Sequence, residues 1–316
     1  MTWIPFVCLA AGIAIGVQKL SGRVLKAIDM ITDVALVALM LNIGLNIGSN
    51  SEIMGNLIGI GFNCVCISLC AIAFSVIATV MVEKTVLPLD KSCAGLHNEK
   101  GIGADEGGEK PRSALVWIMP GSIVAGVLAG MFLMPPDLTY ILDYSLIGSL
   151  IVLYAGVGVS QGANKEVFRY VRILGLRILF LPAGIFVGSV AGGLIAGLLL
   201  DVPLYIPVLS ASGMSFYSIT GAYMSQVYGI EIGTYGFIVN VMREFFTVLL
   251  LPLLIKISKG SPIAGGASGN MDTMLAPVTK FVGTELGLVT LFTGTVLTFL
   301  VPIVLPVFYN IFNMFY

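Results

Sequence analysis

The sequence predicts an all-α polytopic membrane protein with about eight transmembrane helices plus two re-entrant hairpins. Three observations lead there. Of the 316 residues, 57% are hydrophobic and only 10% charged, with mean hydropathy +1.01, a balance foreign to water-soluble domains. Several segments stay apolar for about 20 residues, the length that crosses roughly 30 Å of hydrocarbon. Two later stretches are too polar and too rich in small residues to face lipid, yet lie between apolar spans. Such backbone is tolerated at membrane depth only where protein or a water-filled cavity surrounds it. The 38 glycines fit close packing of membrane helices.

The first span runs from about Trp3 to Val17, with no basic residue before it and no convincing cleavage site after it, so it reads as a retained helix. The second covers about Ile28 to Ile47 and the third Met54 to Val82. Residues 83–113 form a polar loop rich in Gly, Lys, Glu and Asp, taken as cytoplasmic, mobile and without a site of its own. The fourth span is about Ala114 to Met134, closed by the turn Pro135-Pro136-Asp137; the fifth is Tyr140 to Val159 and the sixth Ile173 to Leu200. Leu204 to Gly229 is read as a hairpin, because its centre, Ser210 to Gly221, is hydroxyl-rich. The seventh span, Gly233 to Ile255, carries Arg243 and Glu244. A second polar dip, Gly265 to Pro277, precedes the last span, Leu286 to Phe312.

Basic residues collect in cytoplasmic loops, and they test this count. Lys19, Arg23 and Lys26 follow the first span, Lys84 to Arg112 the third, Lys165, Arg169 and Arg172 the fifth, and Lys256 and Lys259 the seventh. The loops after the second, fourth and sixth spans carry none. The alternation requires both termini outside, with the two hairpins dipping from opposite faces.

A gapless shift of 114 residues places Gly44, Gly48, Asn50, Glu52 and Gly61 on Gly158, Gly162, Asn164, Glu166 and Gly175, and Ser75 on Ser189. The matched pairs lie three spans apart and so have opposite orientation. Residues 1–82 and 114–200 therefore read as halves of an inverted repeat, the hallmark of secondary transporters, with 204–316 holding the substrate or ion site. The competing reading is chance similarity between glycine-rich apolar segments. The dips share Ala-Ser-Gly, at Ala211-Ser212-Gly213 and Ala267-Ser268-Gly269, which fits two hairpins meeting near the midplane.

Chemistry concentrates in a few residues. A charge at the centre of a membrane helix costs about 2.5–3.5 kcal/mol on insertion scales, so Arg243, Glu244 and Asp272 mark a polar path. Asn240, Arg243, Glu244 and Thr247 stand at i, i+3, i+4 and i+7, one helical face. Glu244 and Asp272 are the expected transport and proton-coupling residues. Substrate or ion binding is expected from Ser210, Ser212, Gly213, Ser215, Tyr217, Ser218, Asn240, Arg243, Ser268 and Asn270. Each has a structural alternative. Hydroxyls can satisfy the hairpins' own backbone, Asp272 can cap a broken half-helix, and Arg243 can be an internal partner for Asp272 or Glu52. Asn50, Glu52, Asn164 and Glu166 read as solvated caps. The single histidine, His97, lies in the polar loop away from the apolar spans, so a Ser-His-Asp triad is excluded, and with only one histidine a paired-histidine zinc site is too. Cys64, Cys66 and Cys70 lack metal or redox spacing and read as small packing residues.

The run from Ala211 to Gly221, the pair Arg243-Glu244 and the stretch Gly266 to Thr273 resemble the LysO family of bacterial lysine exporters, over most of the chain and most strongly from Leu204 to Phe308. The resemblance implies that an acidic residue on the penultimate span and an aspartate in the following intramembrane segment are required for export. They map onto Glu244 and Asp272. It further implies export of L-lysine and its analogue thialysine, in antiport with protons, across the bacterial plasma membrane. No cofactor is expected; protons, or sodium, serve as coupling ion. The partners are lysine or a related cationic amino acid and the lipid bilayer, without nucleic acid, and a homodimer is left open. The alternatives are a sodium-coupled carrier of an organic anion, a passive channel, and an intramembrane hydrolase using Asp272 with Glu244. Against the hydrolase stand the missing catalytic histidine, the lack of a recognisable nucleophile motif and the inverted repeat.

Overall fold

The computed structural model describes residues 4–18, 21–49, 51–87, 89, 113–133, 139–163, 175–283 and 286–315, and among them it contains helices and turns but no strand. The helices are α1 (Ile4–Gly16), α2 (Gly22–Ser49), α3 (Ser51–Thr85), α4 (Ser113–Leu133), α5 (Thr139–Ala163), α6 (Phe180–Leu199, entered through a 3-10 turn Leu176–Leu179), α7 (Tyr205–Ser212), α8 (Tyr217–Tyr228), α9 (Ile230–Ile257), α10 (Gly260–Gly266), α11 (Leu275–Val282) and α12 (Gly287–Phe315). Four apolar stretches among the described residues are long enough to cross a bilayer: Ile58–Thr85, Leu176–Leu199, Ile230–Ile257 and Gly287–Met314. Val7–Gly16, Gly121–Phe132 and Tyr144–Ser160 are apolar but shorter. Large apolar side chains such as Ile58, Phe132, Leu199 and Met314 stand exposed, as lipid-facing positions do.

The expected spans correspond to helices, with one boundary corrected. Residues 83–85, assigned to the polar loop, continue α3, where the Glu83 carboxylate accepts from the backbone N–H of Gly260 at 3.0 Å. Most of the remaining loop lies outside the described residues, with Cys93 and His97, and so do Asn50, Asn164, Glu166 and the Glu52 side chain. Cys64 is buried and Cys66 and Cys70 half-buried, all as free thiols, as their packing role requires.

The chain forms two compact units, each drawing on separated stretches: Met1–Gly61, Ala114–Lys165 and Gly221–Thr234 in the first, and Phe62–Ser113, Glu166–Thr220 and Tyr235–Tyr316 in the second. In the first unit, glycines four apart let helix backbones touch. Gly12 and Gly16 of α1 face Gly158 and Gly162 of α5, while Gly44 and Gly48 of α2 face Gly126 and Gly130 of α4. A Cβ on Gly158 would lie 3.0 Å from the Gly12 Cα, with the Leu9 carbonyl closer still. Backbone leaves no rotamer to relieve that clash. Gly158→Leu is therefore expected to lose about 1–3 kcal/mol or more, read as a lower melting temperature of the detergent-purified protein. Between α2 and α5, Asn42 Nδ2 donates to the Leu142 carbonyl at 2.8 Å and Ser160 Oγ to Asp29 Oδ1 at 2.8 Å.

In the second unit α3 and α6 cross where Ser75 and Ser189 meet, their hydroxyl oxygens 2.9 Å apart. Gly188 and Gly192 of α6 allow the approach, lying against the backbone of Phe74-Ser75 and Cys70-Ala71. Gly193 seats α6 on Pro207 and Ala211 of α7. The most enclosed span is α12, with 67% of its apolar window buried against 44% or less in the others, so it is the element around which the unit packs.

Candidate functional site

Two helices of the second unit break before they complete a span. The chain leaves α7 at Ser212 and passes through Met214 (φ 47°) and Ser215 (φ 74°) before α8. It leaves α10 at Gly266 and turns at Ala267 (φ 47°), continues as a 3-10 turn Ala267–Met271, and reaches α11 after Asp272. Non-glycine residues in this left-handed region cost of order 1–3 kcal/mol and persist only where surroundings hold them, most often at functional sites. The two tips meet: Ser268 donates from its backbone N (2.9 Å) and from Oγ (2.6 Å) to the Met214 carbonyl.

The shared Ala-Ser-Gly triplets are not equivalent in conformation. Ala211 and Ser212 still belong to α7, whereas Ala267 and Ser268 follow the end of α10. The left-handed residues accordingly fall after the triplet in the first dip and on its alanine in the second.

One face of α9 braces both breaks. Asn240 is buried; its Oδ1 accepts from Ser215 N at 2.7 Å, and its Nδ2 donates to the carbonyls of Ser210 (2.9 Å) and Gly236 (2.7 Å). It serves the first tip with backbone hydrogen bonds. One turn on, Arg243 is 1% exposed, and its guanidinium bonds to hydroxyls and carbonyls within the second unit. Nη1 donates to Ser189 Oγ (2.8 Å), Nη2 to Ser75 Oγ (3.1 Å) and to the Ala264 carbonyl (3.0 Å), and Nε to the Gly265 carbonyl (3.2 Å). The carbonyls of a helix's last turn lack intrahelical donors and carry partial negative charge. The guanidinium supplies donors to two of them at the end of α10, and Asn270 Nδ2 supplies another to Ile263 O at 2.7 Å. Asn270, also completely buried, thus bonds back to α10.

Glu244, next to Arg243 in sequence, points elsewhere. It is half-buried, and its Oε1 accepts from Thr273 Oγ1 at 3.1 Å. Asp272 is exposed, accepts from the backbone N–H of Thr273, and lies close enough to act electrostatically on Glu244. The N-cap position of α11 is Met274, which makes no side-chain cap bond. Of the other expected residues, Ser212 Oγ donates to the Leu209 carbonyl at 2.8 Å within α7. Ser210, Gly213, Ser215 and Ser218 are buried around the first tip, and Tyr217 packs edge-on against Phe237 at 5.6 Å. A Cβ on Gly213 would meet the side chains of Thr220 and Asn240, so the brace depends on that glycine. Among the described residues no group of three or more His, Cys, Asp or Glu side chains is arranged to hold a metal ion.

Sequence reasoning missed Thr273, Gly269 and the function of the Ser75–Ser189 pair. The pair had a visible signal, a serine at the same register of the two segments that the 114-residue shift superposes, whereas the backbone carbonyls that engage Arg243 and Ser268 leave no trace in side-chain identity.

Apolar helices of spanning length, together with paired helix breaks braced from one polar helical face, define the class: a multi-pass α-helical membrane protein with a broken-helix core. The chain belongs to the lysine exporter family, since the family model described as Lysine exporter LysO matches residues 6–96 and 121–309. It is 28% identical over 160 residues to the protein named Lysine exporter LysO of Escherichia coli (strain K12), a stretch covering 51% of this chain and 53% of that one. It is 25% identical over 159 residues to a Haemophilus influenzae (strain ATCC 51907 / DSM 11121 / KW20 / Rd) protein whose name also carries lysine exporter, covering 50% of this chain and 81% of that one. The match thus spans about half the length of the first of these relatives. No solved structure matches the chain.

Proposed function

We propose that the protein is a secondary transporter that exports L-lysine and analogues such as thialysine from the bacterial cytoplasm in antiport with protons. The observation that carries this reading is the meeting of the two broken-helix tips beside Glu244 and Asp272. Broken helices offer backbone groups to a substrate at membrane depth, and the carboxylates supply charge for an ammonium. Both acids bind the cation when ionised and release it when protonated, which couples the two fluxes. Moving a lysine cation outward against an inside-negative potential costs about 2.3 kcal/mol per 100 mV. One proton entering in exchange cancels that charge movement and leaves the pH gradient as the drive; two would add the potential.

We further propose eight spans with both termini outside; of this topology, the entry of the two dips from opposite faces is what the order of neighbours along α12 supports. Tyr205, at the start of α7, lies 6.4 Å from Phe312 near its C-terminal end. The second tip reaches its middle, where Thr298 faces Ser268, and Thr279 of α11 lies beside Gly287 at its start. The inverted repeat is supported by symmetric pairing. Under the same shift of 114 residues Gly12 and Gly16 fall on Gly126 and Gly130, so the α1–α5 and α4–α2 glycine contacts become equivalent, and Ser75 meets its own counterpart Ser189.

Transport into inside-out vesicles, with internal pH followed, tests the function. Lysine and thialysine are expected to enter and to evoke proton release. Uptake that requires sodium, or that takes organic anions and ignores lysine, would replace this reading with the sodium-coupled one, and failure of lysine counterflow would replace it with a channel.

A further inference from the structure

The Glu244 carboxylate sits in a cradle made by one turn of the second dip. Thr273 Oγ1 donates to Glu244 Oε1 at 3.1 Å, and the same residue's backbone N–H donates to Asp272. The turn is tied by the Gly269 carbonyl, which accepts from Asp272 N at 3.1 Å and Met274 N at 2.8 Å. Gly269 also makes room, because a Cβ there would lie 2.7 Å from Glu244 Oε1. One residue therefore contacts both acids, and one glycine lets the carboxylate reach it.

A glutamate side chain that is only half-buried keeps rotamer freedom unless a partner removes it. The Thr273 hydroxyl engages one oxygen of Glu244, an acid that lies within electrostatic reach of the Asp272 carboxylate, and each ionised carboxylate has about four lone-pair sites. An ammonium carries three N–H donors and can serve two carboxylates at once.

We propose that Thr273 is a positioning residue that fixes the Glu244 carboxylate beside Asp272, so that one primary ammonium group is taken by both acids. This role rests on the reading of Glu244 and Asp272 as the transport site. The hydroxyl acts on binding geometry, so it governs affinity for the ammonium more than the rate of the conformational cycle.

Initial rates of lysine uptake by inside-out vesicles, measured across lysine concentration for wild type, Thr273→Val, Thr273→Ser and Gly269→Ala, test it. Valine keeps the shape and removes the donor, so KM should rise about tenfold with the maximal rate within about twofold of wild type. Serine should restore the wild-type KM, a rescue that loss of packing alone would not give. Gly269→Ala, which keeps the hydroxyl but displaces the carboxylate, should raise KM in the same direction. A wild-type KM in Thr273→Val, or a serine variant as impaired as the valine one, overturns the role while wild-type lysine uptake leaves the function standing. Wild-type vesicles that take up no lysine would overturn the function and this role together. Melting of the purified variants separates a folding defect from a change in KM, and a valine variant that fails to assemble while Gly269→Ala binds lysine normally also counts against the proposal.

Discussion

Replacing Arg243 by alanine is expected to unfold the second unit rather than merely slow transport. The guanidinium is 1% exposed and bonds to two serine hydroxyls and two helix-end carbonyls. Without it, Ser75 and Ser189 still hold each other, but the carbonyls of Ala264 and Gly265 lose these donors. Each buried polar group left unsatisfied costs about 1–3 kcal/mol, so the loss is roughly 2–6 kcal/mol, lessened by the guanidinium's own desolvation. Lysine at this position supplies a point charge that does not reproduce the planar fork, so Arg243→Lys should fall between wild type and alanine. Thermal unfolding of the detergent-purified variants checks the order. An alanine variant that melts like wild type yet binds no lysine would make Arg243 a substrate ligand.

Neutralising either acid should abolish coupled export without unfolding the protein. Glu244→Gln keeps the length and can still accept from Thr273, and Asp272→Asn changes an exposed side chain. In the proposed mechanism both remove the charge that binds the ammonium and the group that exchanges the proton. Each variant should lose about tenfold or more in lysine uptake, the equivalent of ~1.4 kcal/mol or more. If the carboxylates act as a unit, the double variant should be little worse than either single one. Substrate-evoked proton release that persists unchanged in both variants would move the coupling site elsewhere in the chain.

The contrast between Arg243 and Glu244 shows how far sequence reasoning reaches. Their placement on the polar face of one helix was legible from the i, i+3, i+4, i+7 spacing of Asn240, Arg243, Glu244 and Thr247. Their different surroundings were not. Adjacent residues on a helix are rotated by about 100°, so neighbours in sequence reach different neighbours in space. Arg243 meets α3, α6 and the end of α10, while Glu244 meets the turn before α11. The two helix breaks tell the same story: hydroxyl-rich, glycine-rich composition announced that these stretches do not face lipid, but not that Met214 and Ser268 would join them.

Sequence alone determined the class of this protein, because the energetics of hydrocarbon act on composition and run length, which are properties of a chain read in one dimension. It also determined which residues are costly enough at membrane depth to need a purpose. The tertiary structure decided what each of them does. Backbone carbonyls at helix ends carry no residue identity, yet they claim Arg243, Asn240 and Asn270 as internal partners and leave Glu244 and Asp272, linked through Thr273, as the acids that reach accessible space. That division follows from the low dielectric of the interior: a buried donor goes to the nearest unsatisfied oxygen, and only the fold determines which oxygen that is.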